Sequence, residues 1–205
     1  MLTANNLTCV RGDRVLFRNT QLQLKNGGLL YVLGENGSGK SSLLKVISGL
    51  LYSQEGEVLW NGKSIRRDKE EYQSNLVYIG HQNGLKDDLT ALENLMFIAR
   101  LANKDIKDGD ALGALDAIGI KRCANLPVRV LSQGQKRRVA LARLWITNSR
   151  LWVLDEPFAA LDSFSIDSMA SRIGEHLIGG GMAVITTHQH IELKSQSTQT
   201  VRLSS

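Results

Sequence analysis

Residues 34–41, GENGSGKS, fit the phosphate-loop pattern G-x-x-x-x-G-K-[ST] and constrain the fold more than any other stretch. The apolar run LLYVL precedes this loop and SLLKVISGL follows it, which predicts a buried strand, the loop and then a helix. Glycines let backbone N–H groups turn inward around phosphate oxygens because no Cβ stands in the way. A glycine-rich turn with a chance lysine is the alternative, but both flanks favour a nucleoside triphosphate site.

Lys40 and Ser41 have predictable roles in such a site. Lys40 reaches the β- and γ-phosphates, and the Ser41 hydroxyl joins the ligand shell of Mg²⁺. The residues expected to bind the nucleotide are Gly34, Glu35, Asn36, Gly37, Ser38, Gly39, Lys40, Ser41 and Ser42.

A second apolar run, RLWVLDEP at residues 150–157, contains two adjacent carboxylates. It predicts a buried strand that delivers Asp155 to its C-terminal end, the edge where ligands bind in open α/β sheets. Asp155 is expected to hold Mg²⁺ through water, whereas Glu156 points elsewhere and can polarise an attacking water. A strand end capped by solvated acids is the alternative, which the phosphate loop upstream disfavours.

The distribution of apolar residues predicts strands that alternate with helices, and hence an α/β core with parallel strands. Short antiparallel strands are predicted in residues 2–33, with NLTCV and VLF on either side of the turn RGD and LQL after them. Asn61-Gly62 predicts a tight hairpin, and residues 89–145 are predicted to form a largely helical lobe. Further strands are predicted at GLLYVL, LVYIG, LWVLD, AVITTH and TVRL.

The stretch LSQGQKRR, residues 131–138, contains no nucleophile with a base and no paired carboxylates. Ser132 and Gly134 stand at the predicted start of a helix, where the first N–H groups lack partners within the helix and can bind an anion. The basic run after them is interpreted as mostly an ordinary helix face.

Composition narrows the class of protein. With 42% hydrophobic residues among 205, the chain can build the core of one domain. Cys9 and Cys123 form no C-x-x-C pair, which argues against a disulfide framework or zinc site and is compatible with a reducing compartment. No apolar run approaches the about 20 residues of a spanning helix, and no signal-peptide pattern is present. We therefore expect a soluble protein, or one that is peripheral to a membrane through a partner.

The order of the motifs resembles the ATP-binding cassette family over essentially the whole chain. A phosphate loop, a glutamine after a strand, LSQGQ, LWVLDEP, AALD and TTH follow one another as they do there. The resemblance implies a P-loop ATPase core with an antiparallel β subdomain and an inserted helical subdomain, all in one domain. The core and β subdomain would span about 1–85 and 146–205, and the helical subdomain about 86–145.

The resemblance also implies that two copies of the chain close head to tail around two ATP molecules with Mg²⁺. Ser132, Gly134 and Gln135 would bind, in trans, the γ-phosphate of the ATP held by the other copy. Gln82 in GHQNG would join the Mg²⁺ ligands Ser41 and Asp155 and sense a membrane partner; an ordinary loop glutamine is the alternative.

Two later motifs carry further implied roles. Asp162 in AALD would communicate across the dimer, or it is simply a helix N-cap or turn residue. His188 in TTH would contact the γ-phosphate and complete a catalytic set with Glu156 and Lys40, or it is a structural strand-end histidine. His188 and His190 in HQH are also spaced for a metal or haem site, although no further ligands accompany them.

The sequence departs from the family pattern at Arg11 and Gln133. Arg11 occupies the position where an aromatic usually stacks on adenine; a guanidinium can also stack on a base, without selecting adenine over other bases by itself. Gln133 stands where glycine is commoner, and with Ser132 and Gly134 intact we expect phosphate binding to survive.

Within the family, the motifs most resemble the ATP-binding subunit of the haem exporter in cytochrome c maturation. That resemblance implies a peripheral ATPase on the cytoplasmic face of the inner membrane, which drives an integral membrane permease. An ATPase that exports a different substrate is the first alternative. A soluble, nucleic-acid-linked cassette is the second; it is disfavoured because only about 90 residues separate Ser41 from Ser132 and no heptads occur between them. Nucleotide binding without hydrolysis would require Lys40, Glu156 or His188 to be replaced, and all are present.

Overall fold

Strands and helices alternate along the chain, as its apolar pattern predicts. The structure is a computed structural model and describes residues 1–188 and 191–203. The strands are β1 (Leu2–Arg11), β2 (Arg14–Leu24), β3 (Gly28–Leu33), β4 (Glu55–Trp60), β5 (Lys63–Ser64), β6 (Leu76–Ile79), β7 (Leu151–Asp155), β8 (Met182–Thr186) and β9 (Ser197–Arg202). The helices are α1 (Lys40–Ile47), α2 (Lys69–Ser74), α3 (Ala91–Leu101), α4 (Asp108–Ala117), α5 (Gln133–Ile146) and α6 (Ser163–Ile178). None of the helices in this part of the chain is both long and apolar enough to cross a membrane.

The central sheet is parallel and has the strand order β6-β7-β8-β3-β9. Its inner strands are continuous apolar runs because both faces of the sheet are covered. The loop after β3, the end of β7 and the end of β8 therefore meet at one edge of the sheet, where ligands bind in folds of this kind.

A second, antiparallel sheet has the order β2-β1-β4-β5. Asn61 and Gly62 both have positive φ, 51° and 82°, as the predicted hairpin between β4 and β5 requires. The predicted strands VLF and LQL are instead one continuous strand, β2, whose register against β1 shifts at irregular points. The shifts bend the strand without ending it, and a local apolar pattern cannot distinguish a bend from a break.

Each inner strand of the parallel sheet contributes to two apolar cores. Along β7, Trp152 and Leu154 face a core shared with α3, α4, α5 and α6. Leu151 and Val153 face the other core, which is shared with α1 and the antiparallel sheet. The alternation follows from the two-residue period of a strand. The helical segment that follows β6 thus shares its apolar core with the central sheet.

Candidate nucleotide site

The phosphate loop connects β3 to α1, as predicted from its flanks. Gly37 and Gly39 have φ of 81° and 97°, a region that residues with a Cβ rarely adopt. Lys40 is buried, and its ammonium donates hydrogen bonds to the carbonyls of Gly34 (2.8 Å) and Glu35 (2.9 Å). The loop therefore already encloses a cation where the sequence predicts phosphates.

Two further features of this loop fit a phosphate ligand. The Ser38 side chain is buried, and its hydroxyl has no hydrogen-bond partner among the described residues. An unpaired buried hydroxyl is unfavourable, and a phosphate oxygen would satisfy it. Helix α1 begins after Gly39, which has no side chain to cap it, so the first N–H groups of the helix can bind an anion. The positive φ of Gly39 disfavours any side chain there, and a Cβ would in addition lie only 3.0 Å from Cβ of Leu16.

The predicted Mg²⁺ ligands lie where α1 begins, where β7 ends and in the segment after β6, at the same edge of the parallel sheet. Ser41 is exposed in the first turn of α1, Asp155 ends β7, and Gln82 is exposed after β6. They offer a hydroxyl, a carboxylate and an amide oxygen, the oxygen donors that Mg²⁺ prefers. One Asp155 oxygen, Oδ1, accepts a hydrogen bond of 2.7 Å from the Thr186 hydroxyl on the neighbouring strand β8, which orients the carboxylate.

Glu156 and His188 lie side by side at this edge. Oε1 of Glu156 is 3.3 Å from Nε2 of His188, and both side chains are partly exposed. Glu156 has φ of 50°, a conformation that costs roughly 1–2 kcal/mol in a residue with a Cβ. Its N–H donates to the hydroxyl (2.9 Å) and the carbonyl (3.2 Å) of Thr186, which hold that backbone in place. His190 lies outside the described residues. Among the described ones, no group of three or more His, Cys, Asp or Glu side chains is arranged to hold a metal.

Ser132 caps the N-terminus of α5 together with Gln135. The Ser132 hydroxyl accepts from the N–H of Gln135 (3.2 Å), and the Gln135 side chain accepts from the N–H of Ser132 (2.8 Å). The structure therefore places the Gln135 side chain, expected to bind phosphate in trans, within its own chain, where it closes a capping box. Its amide also lies 3.7 Å from the Cys123 sulfur; Cys9 and Cys123 are both free thiols.

Gly134 and Gln133 differ in their surroundings. A Cβ on Gly134 would lie 3.0 Å from the carbonyl oxygen of Ala160, so a side chain at that position would push against the loop before α6. Gln133 is exposed at the first position of α5. Its side chain is therefore not required by the packing of its own chain.

We expect Gln133→Gly to leave the ATPase turnover within about three-fold of the wild-type rate. The exposed side chain contributes only to the stability of the helix end, where glycine lowers the free energy of unfolding by about 1 kcal/mol or less. Steady-state phosphate release by the full chain measures this. Gly134→Ala is the matched comparison and should lower turnover more, because its Cβ meets a backbone carbonyl. A fall of more than ten-fold in Gln133→Gly would make Gln133 a working part of the site.

Asp162 caps the N-terminus of helix α6, which agrees with the alternative prediction of a helix N-cap. Its Oδ1 accepts from the N–H of Ser165 (2.9 Å), and Oδ2 pairs with the Arg138 guanidinium at 3.1 Å. Hydrogen bonds from Ser165 hold the pKa of the Asp162 carboxyl below its ordinary value. A role in communication across a dimer stays a prediction beside this local one.

Arg11 is exposed at the end of β1, opposite Arg14 of β2. The Arg14 side chain is the nearest group to the place where a Cβ on Gly37 would stand, with Nη1 at 3.9 Å. Leu16 of the same strand approaches Gly39, as noted above. Strand β2 therefore lies against the phosphate loop, and the sequence did not indicate that Arg14 is a neighbour of this loop.

The basic run 136–138 is not the ordinary helix face that its sequence suggests. Lys136 pairs with Asp87 (3.2 Å), and Arg138 pairs with Asp162. Arg137 between them is buried and donates to four oxygens of other segments. A signal was available, because Arg137 lies three and four residues before the buried Ala140 and Leu141 and so on the apolar face of the helix.

The comparisons with known proteins agree with this geometry. A family model described as "ABC transporter" matches residues 17–159. The "Cytochrome c biogenesis ATP-binding export protein CcmA" of Dechloromonas aromatica (strain RCB) is 47% identical over 203 residues, which cover 99% of this chain and 100% of that protein. The protein of the same name from Vibrio vulnificus (strain YJ016) is 39% identical, with 99% of each chain covered.

Two solved structures show the same fold. The dimeric ATP-binding cassette MJ0796, in a post-hydrolysis state bound to ADP and Pi, superposes with a TM-score of 0.82 at 28% identity, over 92% of this chain and 88% of that one. The ATP-binding subunit of an ABC transporter has a TM-score of 0.82 at 24% identity, over 91% and 79% of the two chains.

Proposed function

The chain belongs to the ABC transporter family of ATP-binding cassettes, and on this premise we propose that it drives, by ATP hydrolysis, a membrane transporter of cytochrome c biogenesis. The proposal of ATP hydrolysis rests on the contact between Glu156 and His188. This contact lies at the same edge of the parallel sheet as the phosphate loop. The name of its relatives supports the assignment to cytochrome c biogenesis, and we propose haem export or release as the task.

ATP binding follows from the phosphate loop. The Lys40 ammonium exchanges its bonds with the Gly34 and Glu35 carbonyls for bonds with phosphate oxygens, which carry full negative charge and form stronger hydrogen bonds. The unpaired Ser38 hydroxyl and the first N–H groups of α1 bind further phosphate oxygens. We propose that Arg11, and with it Arg14, lies beside the base and sugar.

Ser41, Asp155 and Gln82 are the residues that would hold Mg²⁺. The ion supplies positive charge that stabilises the charge developing on the phosphates. Thr186 fixes one oxygen of Asp155 and leaves the rest of the carboxylate for the ion or its waters.

Hydrolysis uses Glu156 and His188. The Glu156 carboxylate accepts a hydrogen bond from the attacking water and takes its proton as the water oxygen bonds to the γ-phosphorus and the bond to the ADP oxygen breaks. His188 holds the carboxylate at 3.3 Å and contacts the γ-phosphate. Lys40 stabilises the negative charge that passes to ADP.

The second half of each site comes from a second copy of the chain. The α5 N-terminus, with Ser132 and Gly134, is remote in sequence from the phosphate loop and carries N–H groups able to bind an anion. We propose that two copies close head to tail on ATP, each offering this helix end to the γ-phosphate held by the other. The dimeric form of the related cassette MJ0796 supports this arrangement.

The membrane subunit is proposed to be a separate permease that contacts the chain near Gln82, with this ATPase peripheral on the cytoplasmic face of the inner membrane. The name of the relatives, an export protein, supports such a partner. Nucleic acid is not a proposed partner. Export of a substrate other than haem is the second candidate function, since nothing in the ATPase selects the cargo.

Co-purification and complementation together test the function. The tagged full-length chain is expressed in a strain that lacks its own cytochrome c biogenesis ATPase. It is expected to restore covalent haem attachment to cytochrome c, and to co-purify with one integral membrane subunit from detergent-solubilised membranes. Glu156→Gln is the matched control, which should retain the membrane subunit but lose the restoration. If a membrane subunit co-purifies but haem attachment is not restored, export of a substrate other than haem is favoured. If no membrane subunit co-purifies, the assignment as a transporter ATPase is overturned.

A further inference from the structure

Arg137 joins two segments of the hydrolytic site that are far apart in sequence. One of its guanidinium nitrogens, Nη1, donates to the Gly80 carbonyl (2.7 Å) and the Asn83 side chain (3.3 Å). The other, Nη2, donates to the carbonyls of Asp155 (2.6 Å) and Glu156 (3.0 Å). The first pair belongs to the β6 exit segment, residues 80–83, and the second to the end of β7.

Arg137 is buried, so its charge depends on these four hydrogen bonds in place of water. Arg137 is only 7% exposed. Burial lowers the pKa of its guanidinium, while the nearby Asp155 and Glu156 carboxylates act in the opposite direction. A buried cation with fewer acceptors is strongly unfavourable, so the guanidinium and its acceptors are fixed relative to one another. The planar fork of arginine can serve two pairs of oxygens at once, which a lysine ammonium cannot reproduce.

The bond to the Glu156 carbonyl bears on the chemistry. Glu156 has the left-handed backbone conformation described above, and its N–H and carbonyl are held from two sides, by Thr186 and by Arg137. The direction of its carboxylate toward His188 depends on that backbone. The β6 exit segment contains Gln82, so the same guanidinium links the neighbourhood of this residue to Glu156.

We propose that Arg137 is a positioning residue for hydrolysis, which holds the β6 exit segment and the Glu156 backbone together so that the Glu156 carboxylate faces His188. It acts through Glu156 and does not itself contact the nucleotide. The inference rests on the ATPase part of the proposed function and is independent of the transported substrate.

The test compares Arg137→Lys with Arg143→Lys in the purified full-length chain. Arg143 is a half-buried arginine of the same helix, and its Nε has no hydrogen-bond partner among the described residues. We expect Arg137→Lys to lower kcat by about 10–100-fold, since a displacement of about 1 Å at a reacting group has an effect of that size. The KM for ATP and the ATP affinity from calorimetry should stay within about three-fold, and Arg143→Lys should leave kcat within about two-fold.

A second comparison separates positioning from a purely structural role. In a Glu156→Gln background, Arg137→Lys is expected to lower kcat no further, because the group it positions is already gone. An unchanged kcat in the single variant would overturn the proposal. So would an additive loss in the double variant, or a loss of ATP affinity and thermal stability in proportion to kcat. The wild-type rate, measured first, tests ATP hydrolysis itself, whereas the ratios between variants test only Arg137.

Discussion

Glu156→Gln is expected to bind ATP, to lower kcat by at least about 100-fold, and to accumulate as an ATP-bound dimer. The amide keeps the shape of the side chain and can still lie beside His188, but it cannot take a proton from water, and general-base catalysis contributes about 10²–10⁴-fold. Gel filtration with ATP and Mg²⁺ should show a dimer for this variant and a monomer without nucleotide. Phosphate release measures the loss of turnover.

Glu175→Gln provides the matched control for this experiment. Glu175 lies on α6, where its carboxylate pairs with Arg172 three residues earlier, and it is mostly exposed. Its substitution should leave both turnover and the oligomeric state unchanged. If Glu156→Gln with ATP elutes only as a monomer, the head-to-tail dimer is wrong; if its turnover matches the wild type, Glu156 is not the base.

Lys40→Ala is expected to weaken ATP binding by at least about 10-fold. The ammonium is the one buried cation of the phosphate loop, and a hydrogen bond to a charged group contributes about 1.5–3 kcal/mol, which corresponds to about 10–150-fold in Kd. Isothermal calorimetry with ATP and with ADP measures the effect. The loss should be larger for ATP, because the lysine reaches the γ-phosphate as well as the β-phosphate.

Lys45→Ala is the control for Lys40→Ala, because Lys45 is exposed in the last turn of the same helix α1. It should bind ATP as the wild type does. Thermal unfolding of both variants checks that the loop still folds without the two Lys40 bonds. Unchanged ATP affinity in folded Lys40→Ala would contradict the assignment of residues 34–41 as the phosphate loop.

Features encoded within a short stretch could be predicted from the sequence. The phosphate loop, the strand that ends at Asp155 and the Asn61-Gly62 hairpin each depend on neighbours along the chain, and the structure has all three. The parallel sheet followed from alternating apolar runs, and the family resemblance is confirmed by the match over residues 17–159. Local chemistry was sufficient for these features.

Features that depend on distant partners were missed or incomplete. The four acceptors of Arg137 lie between 18 and 57 residues away in sequence, so nothing near the helix indicated them. The sequence did not indicate a role for Thr186, whose hydroxyl joins Asp155 to the Glu156 N–H. The side chain of Gln135 had two possible uses, and the capping box with Ser132 satisfies two helix-end N–H groups at once.

The bonds of Lys40 to two carbonyls of its own loop bear on the thermodynamics of nucleotide association. Before ATP binds, these bonds hold the loop in one shape, so the conformational entropy of ordering its backbone is lost during folding; on binding, the ammonium exchanges the two carbonyls for phosphate oxygens while the backbone keeps its shape. Nucleotide affinity should then change little when distant loops are stiffened or loosened. ATP and ADP meet the same prearranged loop. Discrimination between them must therefore come from the electrostatics of the phosphates, and discrimination between different bases from the contacts to the base.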